Sequence, residues 1–277
     1  MDMDIDKAIE EHYGRAGLEE AILAGLISLG RDIDHIDPED LAAVDELHVG
    51  GAEVVRDLAR DLGIRKGSRV LDVGSGLGGP ARLYAREFGA RVEGIDLTPE
   101  FVTTATSLTR RSGLAGLAAF TRGSALDLPF PDAEFDAASM IHVGMNIRDK
   151  SAAFGSIARV MKPGAGFAVY DFMVVGDGAP EYPLPWSDTV DTSFPVSPEA
   201  YIALLTAAGF AIDKQESRLR YALEFAANTA EEDLSVGPSP LGLHLVLGPD
   251  VGARMKNITA AMTRGILAPV EILSHRA

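Results

Sequence analysis

The sequence predicts an α/β fold, a seven-stranded and mostly parallel sheet with helices on both faces. Three observations carry that prediction. From about Lys66 onward, short β-branched or apolar runs alternate with amphipathic helical runs, each separated by Gly or Pro. The strand-like runs are too apolar to have a wet face, as expected of parallel strands covered on both sides. Residues 1–65 contain helical patterns only and read as an N-terminal helical cap.

Taken in order, Glu19–Leu29 places apolar residues at Ala21, Ile22, Leu26 and Leu29. Asp37 is an N-cap with Pro38 at the first helical position, and Ala52–Leu62 is a second amphipathic run. The first strand-like run, Arg69–Val73, passes through glycines into a helix over Pro80–Phe88. Arg91–Asp96 is the second strand, and Thr98-Pro99-Glu100 caps a helix reaching about Arg111. Ala118–Arg122 and Phe135–Met140 are the third and fourth strands. Lys150–Met161 is helical, ends at Lys162-Pro163-Gly164, and precedes a fifth strand over Gly166–Phe172.

Beyond Val175 the alternation loosens. Gly176–Pro195 is a long loop, Ser197-Pro198 caps a helix to about Ala208, and Ala211–Arg218 is a sixth strand. Helices over Ala222–Glu232 and Pro249–Arg264 form an insertion before the last strand, Ile266–Ser274. One domain is expected over 1–277: a helical cap (1–65), a core (66–175), and a segment of lid, insertion and closing strands (176–277).

The 277 residues hold 25 Lys plus Arg against 41 Asp plus Glu, a net charge of −16. That balance disfavours binding to nucleic acid or to anionic membranes. No run approaches the ~18 apolar residues needed to span a bilayer. With no cysteine, disulfides, thiolate catalysis and Cys-ligated metal sites are excluded. His12, His35, His244 and His275 show no metal-ligand spacing, so no metal is expected. Met1–Asp6 is acidic where a secretory leader is basic, and a cytoplasmic location is expected. Leu241–Leu247 and the N-terminal helices are candidates to bury a second copy in a homodimer.

The chemistry concentrates after the first strand, in Asp72-Val-Gly74-Ser75-Gly76-Leu-Gly78-Gly79. Glycines there let the backbone turn tightly and approach a ligand, with helix N–H groups aimed at it. Gly74-x-Gly76-x-x-Gly79 also satisfies the dinucleotide fingerprint. Asp72 discriminates, because a carboxylate two residues before the first glycine repels a pyrophosphate and attracts a cation. S-adenosylmethionine (SAM), with a sulfonium and an ammonium against one carboxylate, suits such a loop. Asp96 ends the next strand, 96 − 74 = 22 residues after the first glycine. That is near the ~20-residue spacing at which an acid meets ribose hydroxyls. The alternatives are a nicotinamide-dependent oxidoreductase using the same loop, a SAM-binding protein without catalysis, and a tight turn whose acids only cap helices.

Asp72 to Gly79, Gly94-Ile-Asp96 and Leu128-Pro-Phe130-x-Asp132-x-x-Phe135-Asp136 resemble the class I SAM-dependent methyltransferases. So do Asp149-Lys150 and Arg159-Val-x-Lys-Pro-Gly164, and the resemblance covers about residues 66–175. His12-Tyr13-Gly14 and Leu47-His48-Val-Gly-Gly51 are similar to small-molecule members, such as the sarcosine/dimethylglycine, phosphoethanolamine and tocopherol methyltransferases. The resemblance implies a Rossmann-like fold and SAM as cofactor, with S-adenosylhomocysteine as product. It implies that Asp72, Gly74, Ser75 and Gly76 line the methionine end, and Asp96 and Leu97 the ribose. For the adenine the family carries Gly-Asp-Ala where this chain has Gly123-Ser124-Ala125. Ser124 then supplies one hydrogen bond, Ala125 or Leu126 a backbone N–H, and Asp127 is a substitute acid.

His142 follows the fourth strand, at the crevice edge where ligands sit in open α/β sheets. It is a candidate cofactor contact and general base, its ordinary pKa lying near neutrality; alternatively it is bonded to a backbone carbonyl. His48, before a Gly pair, is a second catalytic candidate, or a surface helix-start histidine. Tyr13 resembles the aromatic that lies over the cofactor in small-molecule members, or is core. Asn146 is a substrate candidate, standing where family members often carry His. Tyr182, Trp186 and Phe194 lie in the loop after the fifth strand, where a lid can fold over substrate. Aromatic faces favour cationic amines, at ~0.5–2 kcal/mol each, so an amine nitrogen is the expected acceptor. O- or C-methylation of a natural product is the alternative. Arsenite methylation is disfavoured because its chemistry depends on thiolates.

Overall fold

The computed structural model describes residues 5–46, 48–236 and 239–277, without the side chains of 229–236. Met1–Asp4 of the acidic N-terminus and Leu47 of the Leu47–Gly51 motif lie outside the described residues. The chain begins with α1 (Ile5–Tyr13), α2 (Leu18–Ser28), α3 (Ala42–Asp45) and α4 (Gly51–Asp61). Asp37 accepts from the Glu39 N–H at 3.0 Å, as a cap should. The element it opens is a 3₁₀ turn, Pro38–Leu41, running straight into α3.

The sheet then builds through β1 (Arg69–Val73), α5 (Gly79–Phe88), β2 (Arg91–Asp96), α6 (Pro99–Arg111), β3 (Ala118–Arg122) and β4 (Phe135–Ile141). It continues with α7 (Lys150–Val160), β5 (Met161–Val174), α8 (Pro198–Ala207) and β6 (Phe210–Ser217). After β6 come α9 (Leu219–Val236), α10 (His244–Leu247) and α11 (Val251–Thr263), then β7 (Leu267–Arg276). The seven strands lie in the order β3-β2-β1-β4-β5-β7-β6. β1 to β5 are parallel, and β7 runs antiparallel between β5 and β6. The strand order reverses between β1 and β4, the position at which open α/β sheets leave a crevice.

Strand alternation sorts the core into two layers. Leu71, Phe167 and Val169 pack with Phe154 and Ile157 of α7 and Tyr201 of α8. Val70, Ala168 and Tyr170 face the other way, against Leu58 of α4 and Tyr84 of α5. Two local expectations are corrected. β5 starts at Met161, five residues early, because Met161 already pairs with Phe135 ahead of a register shift. Thr98 makes no side-chain cap on α6; its N–H and hydroxyl both turn to Asp96.

The stretch Leu241–Leu247, read as a surface for a partner, is instead buried within this chain. Leu241, Val246 and Leu247 pack with Ile22 and Leu26 of α2 and with Phe101 of α6. Among the described residues no helix is long and apolar enough to cross a membrane.

Candidate functional site

A cavity of about 1380 Å³ opens at the C-terminal ends of β1, β2 and β4. Ligand sites usually span about 300–1,000 Å³, so there is room for two small ligands side by side. One half is formed by the loops after β1, β2 and β3. Asp72, Gly74, Ser75, Gly76, Asp96, Leu97, Ser124, Ala125 and Leu126 all line it.

Gly74 takes φ +69°, and any side chain there would run into Val143. Asp72 is buried; its Oδ1 accepts from the Ser139 hydroxyl at 3.0 Å, and its Oδ2 has no partner. Ser75 Oγ, in the same loop, is also buried and without a partner. Burial pushes the Asp72 carboxyl up to about 7, with the Asp96 charge adding to the effect and the Ser139 bond opposing it. Asp96 is tied at both oxygens, Oδ2 accepting from the Gly76 N–H at 2.8 Å and Oδ1 from the Thr98 N–H at 2.9 Å. The acid of the second strand therefore braces the glycine turn of the first.

The adenine-side expectation needs one correction. Ser124 Oγ accepts from the Leu126 N–H at 3.3 Å, so that N–H is used within the loop rather than left for a ligand. Asp127 is exposed and does not line the cavity.

The other half is walled by an apolar cluster that includes Met145, Phe172, Trp186, Ala222, Ile258 and Met262. It draws on α9 and α11 of the insertion, which the sequence identified only as helices. Phe172 and Met145, which sequence reasoning missed, carry no signal of their own. α11 presents Val251, Met255, Ile258 and Met262 at three- and four-residue spacing, a stripe legible as a buried face though not as a ligand wall.

His142 takes φ +52°, a left-handed conformation uncommon outside glycine. Its N–H donates to the Tyr170 carbonyl at 2.7 Å, which fixes the turn. The ring packs 4.8 Å from the Phe172 ring and 5.0 Å from the Tyr170 ring, and Nε2 has no partner. Burial holds its pKa well below the ordinary value, with His48 adding to the effect, so the imidazole is neutral at pH 7. The side chain is therefore not bonded to a backbone carbonyl. His48 is buried, not on the surface; its Nε2 donates to the Gly51 carbonyl at 3.3 Å, and its ring meets His142 edge-on at 6.2 Å. Burial lowers its pKa to about 4.

Tyr13 and Asn146 both line the cavity, with Asn146 beside the Tyr13 hydroxyl. Asn146 is buried and its Oδ1 has no partner. Glu46, a cavity residue that the sequence reading missed, is held near the start of α4 by the Ala52 N–H. Burial raises its carboxyl to about 7.

Behind this wall, Asp171 does not line the cavity. It accepts from the Tyr201 hydroxyl and from the Phe172 N–H. A side chain at Gly144 would run into both the Tyr201 hydroxyl and the Asp171 carboxylate. Lys150 Nζ donates to the carbonyls of Ile147 at 2.7 Å and Phe194 at 2.6 Å, tying two loops together.

The three lid aromatics fare differently. Trp186 lines the cavity, but as part of its wall: it stacks on Phe172 at 5.3 Å and donates from Nε1 to Ser193 Oγ at 2.9 Å. Tyr182 and Phe194 do not line the cavity. Tyr182 packs against the apolar cluster, and the Phe194 ring lies under the Arg148 guanidinium at 5.0 Å. Hydrophobic burial takes these rings before a substrate can.

Residues 71–169 match the family described as "Methyltransferase domain". The sterol 24-C-methyltransferase of Neurospora crassa is 38% identical over 117 residues, covering 42% of this chain and 31% of that protein. The chain thus spans about a third of the length of the curated relatives it matches most strongly. Methyltransferase GfsG of Streptomyces halstedii is 29% identical over 217 residues, 77% of this chain and 74% of its own. Among solved structures, the geranyl diphosphate C-methyltransferase from Streptomyces coelicolor shares the fold with a TM-score of 0.72 at 18% identity, over 99% of this chain and 98% of that one.

A cationic ligand suits the first half of the cavity, where the buried Asp72 Oδ2 and Ser75 Oγ lack partners and Gly74 leaves no room for a side chain. With its parallel sheet, its glycine turn and this family match, the chain carries a class I methyltransferase domain whose cofactor is S-adenosylmethionine.

Proposed function

We propose that this protein transfers a methyl group from SAM to an oxygen or carbon of a small molecule. The observation that carries the reading is the buried carboxylate of Asp72, half-satisfied by Ser139, within a glycine turn braced by Asp96. Asp72, Gly74, Ser75 and Gly76 would hold the cationic methionine end, Asp96 and Leu97 the ribose, and Ser124 and Ala125 the adenine side. The cofactor supplies an electrophilic methyl whose departure leaves a neutral thioether.

The chain's own residues supply position and dryness, which is most of what such a displacement needs. His142, neutral and with Nε2 unpartnered, serves as proton acceptor. His48 carries its hydrogen on Nε2, since the Gly51 carbonyl can only accept, and its ring holds that of His142 in place. Tyr13 and Asn146 orient the acceptor from the cap side. An amine acceptor loses its support, because two of the three rings that favoured it lie away from the cavity and Trp186 is stacked into the wall.

The test is calorimetric titration with SAM and, separately, with reduced nicotinamide dinucleotide. Micromolar binding of SAM alone is expected; preference for the dinucleotide overturns the reading. Transfer of labelled methyl to candidate acceptors then separates an enzyme from a SAM-binding protein without catalysis.

A further inference from the structure

The second half of the cavity carries chemical information beyond the class of reaction. Its wall combines Met145, Phe172, Trp186, Ala222, Ile258 and Met262, drawn from the β4–α7 loop, β5, the loop after it, α9 and α11. The ionisable groups facing it are neutral or otherwise engaged. His142 and His48 are uncharged at pH 7, and the Tyr13 phenol is pushed further up by burial.

The acids are accounted for as well. Asp45 is paired with Arg82, Asp149 caps α7 through the Ala152 N–H, Asp6 has an interaction of its own, and Glu46, beside the Ala52 N–H, has its carboxyl raised to about 7 and so is partly protonated at pH 7. Arg148, Lys256 and His244 are exposed at the opening, where charge stays in water. An ammonium or a phosphate brought against this wall would be desolvated without a counter-charge. Besides His142 Nε2, already assigned to the proton, the wall offers a second unpartnered acceptor: Asn146 is nine-tenths buried, lies beside the Tyr13 hydroxyl, and its Oδ1 has no partner. Buried acceptors are normally satisfied, and a hydroxyl is the uncharged donor that would satisfy this one.

We infer that the acceptor is an uncharged, largely apolar molecule bearing a hydroxyl group that donates to Asn146. This rests on the methyltransferase reading above and narrows it to a substrate class. The insertion between β6 and β7 then supplies Ala222, Ile258 and Met262 to the site that recognises the substrate body, and Trp186 is what the aromatic loop after β5 adds to it.

The experiment separates the two levels. S-adenosylhomocysteine is titrated first, and failure to bind counts against the methyltransferase reading itself. The loaded protein is then titrated with four probes that share one chain: 1-decanol, its methyl ether, decylamine and decanoate. Decanol is expected to bind tightest, with the methyl ether about fivefold weaker for loss of one hydrogen bond. Decylamine and decanoate are expected to be at least about tenfold weaker.

Asn146→Leu should bring decanol to the level of its ether. Met255→Lys, on the half-buried face of α11, should weaken all uncharged probes while S-adenosylhomocysteine still binds, which reports that the variant is folded. Tightest binding of the amine or the carboxylate overturns the inference, as does absence of binding by any uncharged probe. Equal binding of decanol and its ether overturns the hydroxyl assignment, and so does an unaltered preference for decanol in Asn146→Leu.

Discussion

The two halves of the cavity are built by different physics. The cofactor half hangs on the ends of parallel strands, where Asp96 fastens the glycine turn through the Gly76 N–H and its own loop through the Thr98 N–H. The acceptor half is an apolar cluster assembled from two loops, β5 and two inserted helices, held mainly by packing, with the Trp186–Ser193 bond in the wall and the Asp171–Tyr201–Lys150 group behind it. Hydrogen bonds and carboxylates specify one ligand, while an apolar wall specifies a volume. Such an arrangement leaves the cofactor constant and the acceptor open to change through the insertion.

The largest expected effect tests how the cap is joined to the cofactor half. Arg82 of α5 is fully buried, paired with Asp45 of α3 at 2.5 Å and bonded to Thr109 and the Leu77 carbonyl. Arg82→Met strands a buried carboxylate and should cost about 3–5 kcal/mol in urea unfolding. A loss below about 1 kcal/mol would mean that the cap is fastened elsewhere.

Next in size, Asp96→Ala removes the tie to the glycine turn at Gly76 and the tie to Thr98, and should weaken SAM binding by about 1–3 kcal/mol in calorimetry, with the affinity of the decanol probe little altered. Equal loss at both sites would erase the distinction between the halves.

Asp72 sharpens it through pH. With its carboxyl at about 7, a cationic ligand meets an acid at low pH and a carboxylate at high pH. SAM affinity should therefore rise about tenfold from roughly pH 6 to roughly pH 8, and Asp72→Asn should flatten the profile. Stability runs the other way. Because the folded pKa lies above the ordinary 3.8, the contribution of Asp72 favours the fold at low pH and is lost as pH rises toward 7. Asp72→Asn should accordingly unfold later at roughly pH 8, by about 1–3 kcal/mol, while binding SAM less well.

The smallest effect belongs to Tyr13→Phe. Removing the hydroxyl that meets Asn146 should weaken acceptor binding by about 0.5–1.5 kcal/mol and leave SAM affinity close to normal. A larger loss of SAM than of acceptor would place Tyr13 with the cofactor.

Most of the cofactor half is legible from residue order because its determinants are local. A glycine with φ +69° after a strand, an acid two positions earlier and another at the next strand end all sit within a few residues of the turns they make. Ser124 shows the limit even there, since its hydroxyl turned to its own loop. The lid aromatics were misjudged for a different reason. Trp186 looks the same in sequence whether it faces a ligand or Phe172, and burial of a large ring decides the matter.

What the sequence determined by itself is the succession of strands and helices, the glycine turn and the two acids around it, because periodicity, turn chemistry and capping act over a few residues. Only the tertiary structure decided that Arg82 meets Asp45, that Glu46 and Phe172 border the cavity, and that α9 and α11 close over it. Those outcomes depend on which distant surfaces exclude water together, a competition among segments far apart in the chain, and no short window of the sequence contains it.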